Sequence, residues 1–462
     1  AMNEQRARAQ DLMAYGALGL PLAFAALPLY VHVPRLYAGL GLSLATVGAV
    51  LLAARVVDAL SDPLIGWAVD RLPGRRKWVM AALPVLGLGM VGLLSPPAGS
   101  GALWLLALLV LVSLGYSVAT IAYHAWGAEV AATSELRTRY VASREAFALL
   151  GVMLAAALPS VLAAGQGESL GLARLAMVFV PVLILFGLWT LLRSPVSPPA
   201  AVRRESVYGG LAAALRVPGF GRLLTVFALN GIAAAIPSAT VLFFVADVLG
   251  AADVAGLFLV LYFLAAAASL PLWVALSRRY GKLQAWLAGM VLAVVVFGWA
   301  ATLGDGELIA YGVVCVLSGL ALGADLSLPP SLLADLLAVP AGNEDAALAE
   351  HHGLRAVSRQ TARTVVPATL AGACFGWWNF VTKANLALAA GVALPLLAVL
   401  GYAPGERGSA ALLALSISYS GLPVLFKLGA IALLWRWRDG LETACARQGG
   451  SGSGTNSGVC ES

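Results

Sequence analysis

Long apolar runs recur from one end of the chain to the other, parted by short polar gaps. They are continuous and rich in Leu, Ala, Val and Gly, unlike the alternating segments of about ten residues that build a membrane barrel. A helix needs about 20 apolar residues to cross a bilayer. Lipid admits only helices and closed barrels, because an unpaired backbone group finds no water there. The pattern therefore predicts an all-α membrane protein with twelve spans, near 12–34, 43–69, 78–96, 102–126, 142–164, 172–193, 219–248, 254–277, 283–303, 308–335, 366–400 and 409–436.

Composition agrees. Hydrophobic residues make up 60% of the 462 and charged residues 11%, against roughly 25% charged in soluble domains. The net charge of +6 reads as loop Arg and Lys that orient the helices, with no nucleic-acid partner implied. Cys315, Cys374, Cys445 and Cys460 show neither metal spacing nor a disulfide framework. The sequence also has no Cys/His metal cluster, nucleotide loop or nucleophile elbow, and so implies no enzyme.

Basic residues crowd one set of gaps: Arg71, Arg75, Arg76 and Lys77, then Arg137 and Arg139, then Arg193, Arg203, Arg204 and Arg216. The same side continues with Arg278, Arg279 and Lys282, with Arg355, Arg359 and Arg363, and with Arg436 and Arg438. The opposite gaps hold little beyond Arg35, Arg174 and Arg407. The positive-inside rule places the first set and both termini in the cytoplasm of an inner-membrane protein. Arg355, Arg359 and Arg363, four residues apart, predict a basic helical stripe on the membrane surface, with lipid headgroups as partners.

The Pro-rich gap 194–218 divides the chain into halves, 1–193 and 219–438, with 439–462 as a disordered, linker-like tail. After the second span stands Asp70-Arg71-Leu72-Pro73-Gly74-Arg75-Arg76-Lys77; after the eighth, Ser277-Arg278-Arg279-Tyr280-Gly281-Lys282. Two six-helix halves with the same basic turn describe the pseudo-symmetric major facilitator fold. In that plan a solute site lies between the halves near mid-membrane.

The first turn resembles the major facilitator signature, with one extra residue before its glycine. The run Ala54-Arg55-Val56-Val57-Asp58-Ala59-Leu60-Ser61-Asp62-Pro63 is similar to the second helix of the glycoside–pentoside–hexuronide:cation symporters, the melibiose permease family. Tyr15-Gly16, Trp126, Arg144, Asn230, Ala334-Asp335 and Lys383 extend the likeness over nearly the whole chain.

Asp58 and Asp62 lie one helical turn apart on one face. Ionised carboxylates in lipid face an interior path and need a partner. The resemblance implies that these two bind the coupling ion, Na+ or H+, helped by Ser61 where the family has an asparagine, and by Asn379 and Lys383 from the eleventh span. A structural alternative is an ion pair of the acids with Arg55 or Lys383. The family's two sugar-binding aspartates fall on Ala23 and Ala122, so the substrate side departs from the pattern. His124, Trp126, Arg144, Asn230 and Asp325 complete the candidate substrate residues, Arg144 open to neutralisation by Glu129 or Glu145, and Asp325 to pairing with Arg144 or Lys383. Asp70, Arg71, Arg75 and Arg76 are expected to form a gate, with Arg278 and Arg279 in the second half.

The expected function is cation-coupled symport of a glycoside or related sugar or organic anion by a protein acting as a monomer. A lysophospholipid-like amphiphile is the second reading. A non-transporting scaffold is the third, and it leaves the desolvated acids without a purpose.

Overall fold

The computed structural model describes residues 2–72, 74–97, 99–131, 133–163, 168–196, 207–251, 254–337, 370–402 and 408–449. Every regular element among the described residues is a helix. The first half comprises α1 (Met2–Ala17), α2 (Gly19–Val31), α3 (Val33–Gly39), α4 (Leu44–Arg71), α5 (Arg75–Leu94), α6 (Ala102–Val130), α7 (Ser134–Ala163) and α8 (Glu168–Arg193). A short helix, α9 (Val207–Leu215), sits in the central gap, where none was expected. The second half comprises α10 (Phe220–Phe243), α11 (Ala255–Tyr280), α12 (Lys282–Ala300), α13 (Leu308–Leu336), α14 (Ala371–Val399), α15 (Ser409–Ser416) and α16 (Leu422–Gly449). Single π-turns extend α10 and join α15 to α16.

Nine helices among the described residues are long and apolar enough to cross a membrane. The pair α1–α2, α4 with its internal charges, and α14 occupy the three remaining expected spans. The fifth span starts earlier than expected, because the polar turns Ser134–Ser143 are already helical. Helix α16 continues to Gly449, so residues 439–449 are helical where a disordered tail was expected from 439. The stripe Arg355, Arg359 and Arg363, the remaining tail residues, and Arg203, Arg204 and Arg407 lie outside the described residues.

The first helix breaks at Leu18, and Thr190 of α8 repairs the break. Its hydroxyl donates to the Ala14 carbonyl at 2.7 Å and accepts the Leu18 amide at 3.1 Å. Tyr15 and Tyr123 exchange hydrogen bonds, each hydroxyl donating to the other residue's carbonyl. That fixes α1 against α6 at the core of the first half.

The halves meet along α4 and α14, where glycine lets backbone touch backbone. A Cβ on Gly66 would stand 2.2 Å from the Gly372 carbonyl oxygen, and one on Gly376 would stand 2.6 Å from that of Asp62. Gly372 and Gly376 form the small-xxx-small spacing by which membrane helices approach closely. Asp62 is thereby held at this seam.

Candidate functional site

At the seam, three elements converge on one ammonium. Side chains on a helix lean toward its N-terminus, so Lys383 of α14 reaches back along the seam to the acids of α4. Its Nζ donates to Asp58 Oδ1 at 2.6 Å, to Asp62 Oδ1 at 3.0 Å and to Ser117 Oγ of α6 at 2.7 Å. These use all three N–H donors. Ser117 in turn donates to Asp58 Oδ1 at 3.1 Å. Asp62 is fully buried, and its Oδ2 lies 2.9 Å from Nζ yet accepts no hydrogen bond.

Of the expected cation residues, Asp58, Asp62 and Lys383 are brought together. Ser61 is not: its hydroxyl donates to the Asp58 carbonyl of its own helix at 2.9 Å, and Ser117 supplies the oxygen instead. Asn379, one turn before Lys383, lines a separate cavity. The sequence offered a signal for Ser117, a hydroxyl within an apolar span.

That cavity, of about 240 Å³, lies between the halves. Ala23, His124, Arg144, Asp325 and Asn379 of the expected residues line it. Arg144 is bound to its neighbour Glu145, with Nη2 at 2.6 Å and Nε at 2.9 Å from the same carboxylate oxygen. Glu129 is not its partner. Gly19 makes room here, since a Cβ would come 2.4 Å from the Arg144 carbonyl oxygen. His124 packs edge-on against Phe375, ring centroids 5.6 Å apart.

Asp325 pairs with neither Arg144 nor Lys383. Lys427 of α16, overlooked in the sequence, donates to it at 2.7 Å and to Asn230 Oδ1 at 2.7 Å, while Trp286 donates to its other oxygen at 2.9 Å. Asn230 is therefore buried behind the cavity as a partner of Lys427. Lys427 stands inside an apolar run and was open to the rule that singled out Lys383.

Two further expectations are corrected. Trp126 and Ala122 are fully buried away from the cavity; the Trp126 indole donates to the Pro195 carbonyl at 2.9 Å and meets Tyr15 edge-on. Register explains it: Ser117, Thr120 and His124 share one face of α6, whereas Ala122 and Trp126 share another. The aromatic wall comes instead from Trp378, stacked on Phe227 with centroids 3.7 Å apart.

The basic turns tie the two halves together. Asp70 accepts the Gly372 and Ala373 amides of α14 at 2.7 Å each, a carboxylate on a helix N-terminus. Arg75 holds Asp70 at 2.7 Å and Glu129 at 2.8 Å. Arg71 stacks over Trp67, and Arg76 stands half-buried outside this network. In the second half the buried ion-pair network centres on Lys282, not on Arg278 or Arg279. It donates to Asp335 at 2.7 Å, Ser331 at 2.6 Å and the Ser134 carbonyl at 2.8 Å, and Arg137 adds a second cation to Asp335 at 3.1 Å. Arg278 reaches only exposed Glu135 at 3.3 Å, and Arg279 lies over Tyr280. Gly74 (φ 100°) and Gly281 (φ 87°) occupy equivalent turns, each just before the buried cation of its half.

Comparison with known proteins follows this geometry. The family described as "MFS/sugar transport protein" matches residues 12–346 and 359–438. No curated protein matches the sequence. Among solved structures, a bacterial homologue of the iron transporter ferroportin, in an outward-facing state, is 15% identical with a TM-score of 0.65, covering 94% of this chain and 99% of that one. The human organic anion transporter MFSD10 (TETRAN) is 17% identical at 0.63, covering 92% and 99%. The E. coli fucose:proton symporter FucP is 12% identical at 0.60, covering 92% and 98%. At such identities these likenesses concern the fold.

Proposed function

The chain belongs to the MFS/sugar transport protein family and is a membrane transporter, and from that premise we propose that it is a cation-coupled symporter of a small polar solute. The observation that carries this reading is Lys383, an ammonium from one half held between Asp58 and Asp62 of the other. A tethered cation there stands where a mobile one would compete. Na+ arriving at the acids, or a proton neutralising one of them, weakens their hold on Lys383. That loosens the seam between the halves, and the seam must open for access to alternate. Asp62 Oδ2, free of hydrogen bonds, is the acceptor left for the incoming ion.

The solute occupies the cavity beside this seam, and a glycoside or related sugar or organic anion fits its small size and its mainly apolar lining with a few charged and polar groups. On this reading the basic turns face the cytoplasm of the inner membrane and the monomer is the working unit. Family membership and a mid-membrane carboxylate pair together support transport over a scaffold role.

Uptake into proteoliposomes under an imposed Na+ or H+ gradient tests the reading. Asp58→Asn and Asp62→Asn are expected to abolish concentrative uptake while leaving the protein folded. Undiminished accumulation in both variants would remove the acids from coupling.

A further inference from the structure

Away from the seam, α5 and α8 of the first half leave a groove of about 540 Å³ between them. Every residue lining it is apolar. Leu83, Leu183 and Leu191 form a buried floor, while Met80, Leu88 and Ile184 stand exposed along its sides. Such a groove offers no hydrogen bond, so a hydrocarbon chain fills it better than water does. Its length matches one leaflet. The lining runs from Met80 to Val91 on α5 and from Val180 to Leu191 on α8. At about 1.5 Å per residue that is about 16 Å, and half of a hydrocarbon core about 30 Å thick is about 15 Å.

Charge stands at one end of the groove. The two helices meet with Gly187 against Leu83 and Gly87 against Leu183, since a Cβ on the first glycine would come 2.7 Å from Leu83 and one on the second 3.3 Å from Leu183. Continued outward, that antiparallel register sets Lys77 level with Arg193, the last residue of α8. Lys77 and Arg76 also precede Met80 by one helical turn, on the face of α5 that lines the groove. Lys77 and Arg193 are exposed, and Arg76 is half-buried. Neither helix has an acid at this end: α5 has none, and Glu168 of α8 stands at its far end. Trp78 and Trp189 lie within a turn of the same level, and tryptophan is enriched where hydrocarbon meets headgroups.

We propose that this groove binds an anionic phospholipid of the leaflet on the side of the basic turns, with one acyl chain along α5 and α8 and the phosphate at Arg76, Lys77 and Arg193. The lipid is a resident of the protein and not its cargo. Its site lies within one half, so it keeps its shape while the halves move, and it stands independently of the symport reading. A basic residue beside an anionic lipid is worth about fivefold in binding. The acyl chain is the same whatever the headgroup, so retention belongs to the groove and the choice of headgroup to the three cations.

Native mass spectrometry and thermal unfolding of the delipidated full-length protein in detergent test the site. The probes are dioleoylphosphatidylglycerol, dioleoylphosphatidylcholine and glycerol 3-phosphate. The wild type is expected to hold phosphatidylglycerol at least about tenfold more tightly than phosphatidylcholine, and to melt at a higher temperature with it. Glycerol 3-phosphate, which has no chain, should do neither. Arg76→Gln with Lys77→Gln and Arg193→Gln should erase the preference. Leu88→Trp fills the groove from an exposed position with the cations intact, and should weaken phosphatidylglycerol at least about tenfold; it also serves should the triple variant not fold. Arg278→Gln with Arg279→Gln, at the basic turn of the other half, should keep the preference. Equal retention of the two lipids by the wild type overturns the proposal, as does undiminished phosphatidylglycerol binding in either folded groove variant. Loss of the preference in the Arg278 and Arg279 variant overturns it too, as does stabilisation by glycerol 3-phosphate equal to that by the lipid. No ion gradient enters, so these failures leave coupling at Asp58 and Asp62 untouched.

Discussion

Replacing Lys383 with Met removes the one cation that the seam places between Asp58 and Asp62, and the size of the effect follows from what is left. Asp62 is fully buried and Asp58 is 7% exposed, so neither recovers its hydration. Removing one partner of a buried ion pair costs about 3–5 kcal/mol. The methionine keeps much of the side-chain volume, so the loss is electrostatic and not a cavity. In choline chloride at pH 8 the variant should therefore unfold several degrees below the wild type, since each kcal/mol is worth roughly 2 °C or less in a chain this large. The deficit should shrink in equimolar sodium chloride, because a cation that binds only the folded state at about 100 times its Kd returns about 2.7 kcal/mol. It should shrink as well when the pH is lowered, because a protonated carboxyl no longer needs the partner; the wild type, in which Lys383 already offsets one of the two charges, should respond less to either. The assay is the melting temperature of the purified protein in the four combinations of salt and pH. Equal stability of variant and wild type in all four would refute the reasoning, since it would mean that the acids never depended on the ammonium.

Three other outcomes are expected. Asp70→Asn weakens the charge-assisted bonds to the Gly372 and Ala373 amides and to Arg75, each worth about 1.5–3 kcal/mol; maleimide labelling of buried Cys374 should accelerate at least tenfold, and unchanged labelling would detach Asp70 from gating. Gly376→Ala sets a Cβ 2.6 Å from the Asp62 carbonyl oxygen, so α4 and α14 must separate; overpacking of this kind costs about 1–3 kcal/mol, and a melting temperature equal to that of the wild type would contradict the tight seam. Ser117→Ala should weaken the response of transport to the driving cation, whereas Ser61→Ala, which loses only a bond to its own helix, should not; equal effects of the two would undo the assignment of Ser117.

How much of this was legible depended on whether a residue's signal was its type or its direction. Asp58, Asp62 and Lys383 were readable because charge inside an apolar run demands a partner, whatever the helix register. Arg75 and Asp70 were readable from a motif that resembles a known signature. Trp126 and Ala122 failed because their place depends on the rotation of α6, which is marked only by the few polar positions Ser117, Thr120 and His124 in an otherwise apolar span. Ser61 failed for a related reason: a helical serine can satisfy itself on a carbonyl of the preceding turn, and nothing in the sequence distinguishes that from a ligand. Lys427 carried the same signal as Lys383 and went unread. The helix in the central gap, α9, was hidden by the Pro-rich residues before it, although Gly210 lies against Trp67 and the Trp377 indole donates to the Leu211 carbonyl.

The lysines divide the charge chemistry of the two halves in a way that bears on mechanism. Lys282 and Arg75 stand at equivalent turns, each after a positive-φ glycine, and each tied to an acid at the end of a partner helix, Asp335 on α13 and Glu129 on α6. These pairs lie within a half, yet each is joined to a contact that crosses the halves, through Asp70 onto α14 and through Ser134 and Arg137 of α7. Lys427 pairs only within its own half, whereas Lys383 pairs only across. Rocking of two rigid halves must break the crossing contacts and can spare the internal ones. Among the buried lysine–carboxylate pairs of the described residues, that of Lys383 is therefore the one that itself crosses the halves, and on the proposed reading it is the pair a mobile cation would displace. The Lys427–Asp325 pair, internal to its half, can keep its geometry throughout.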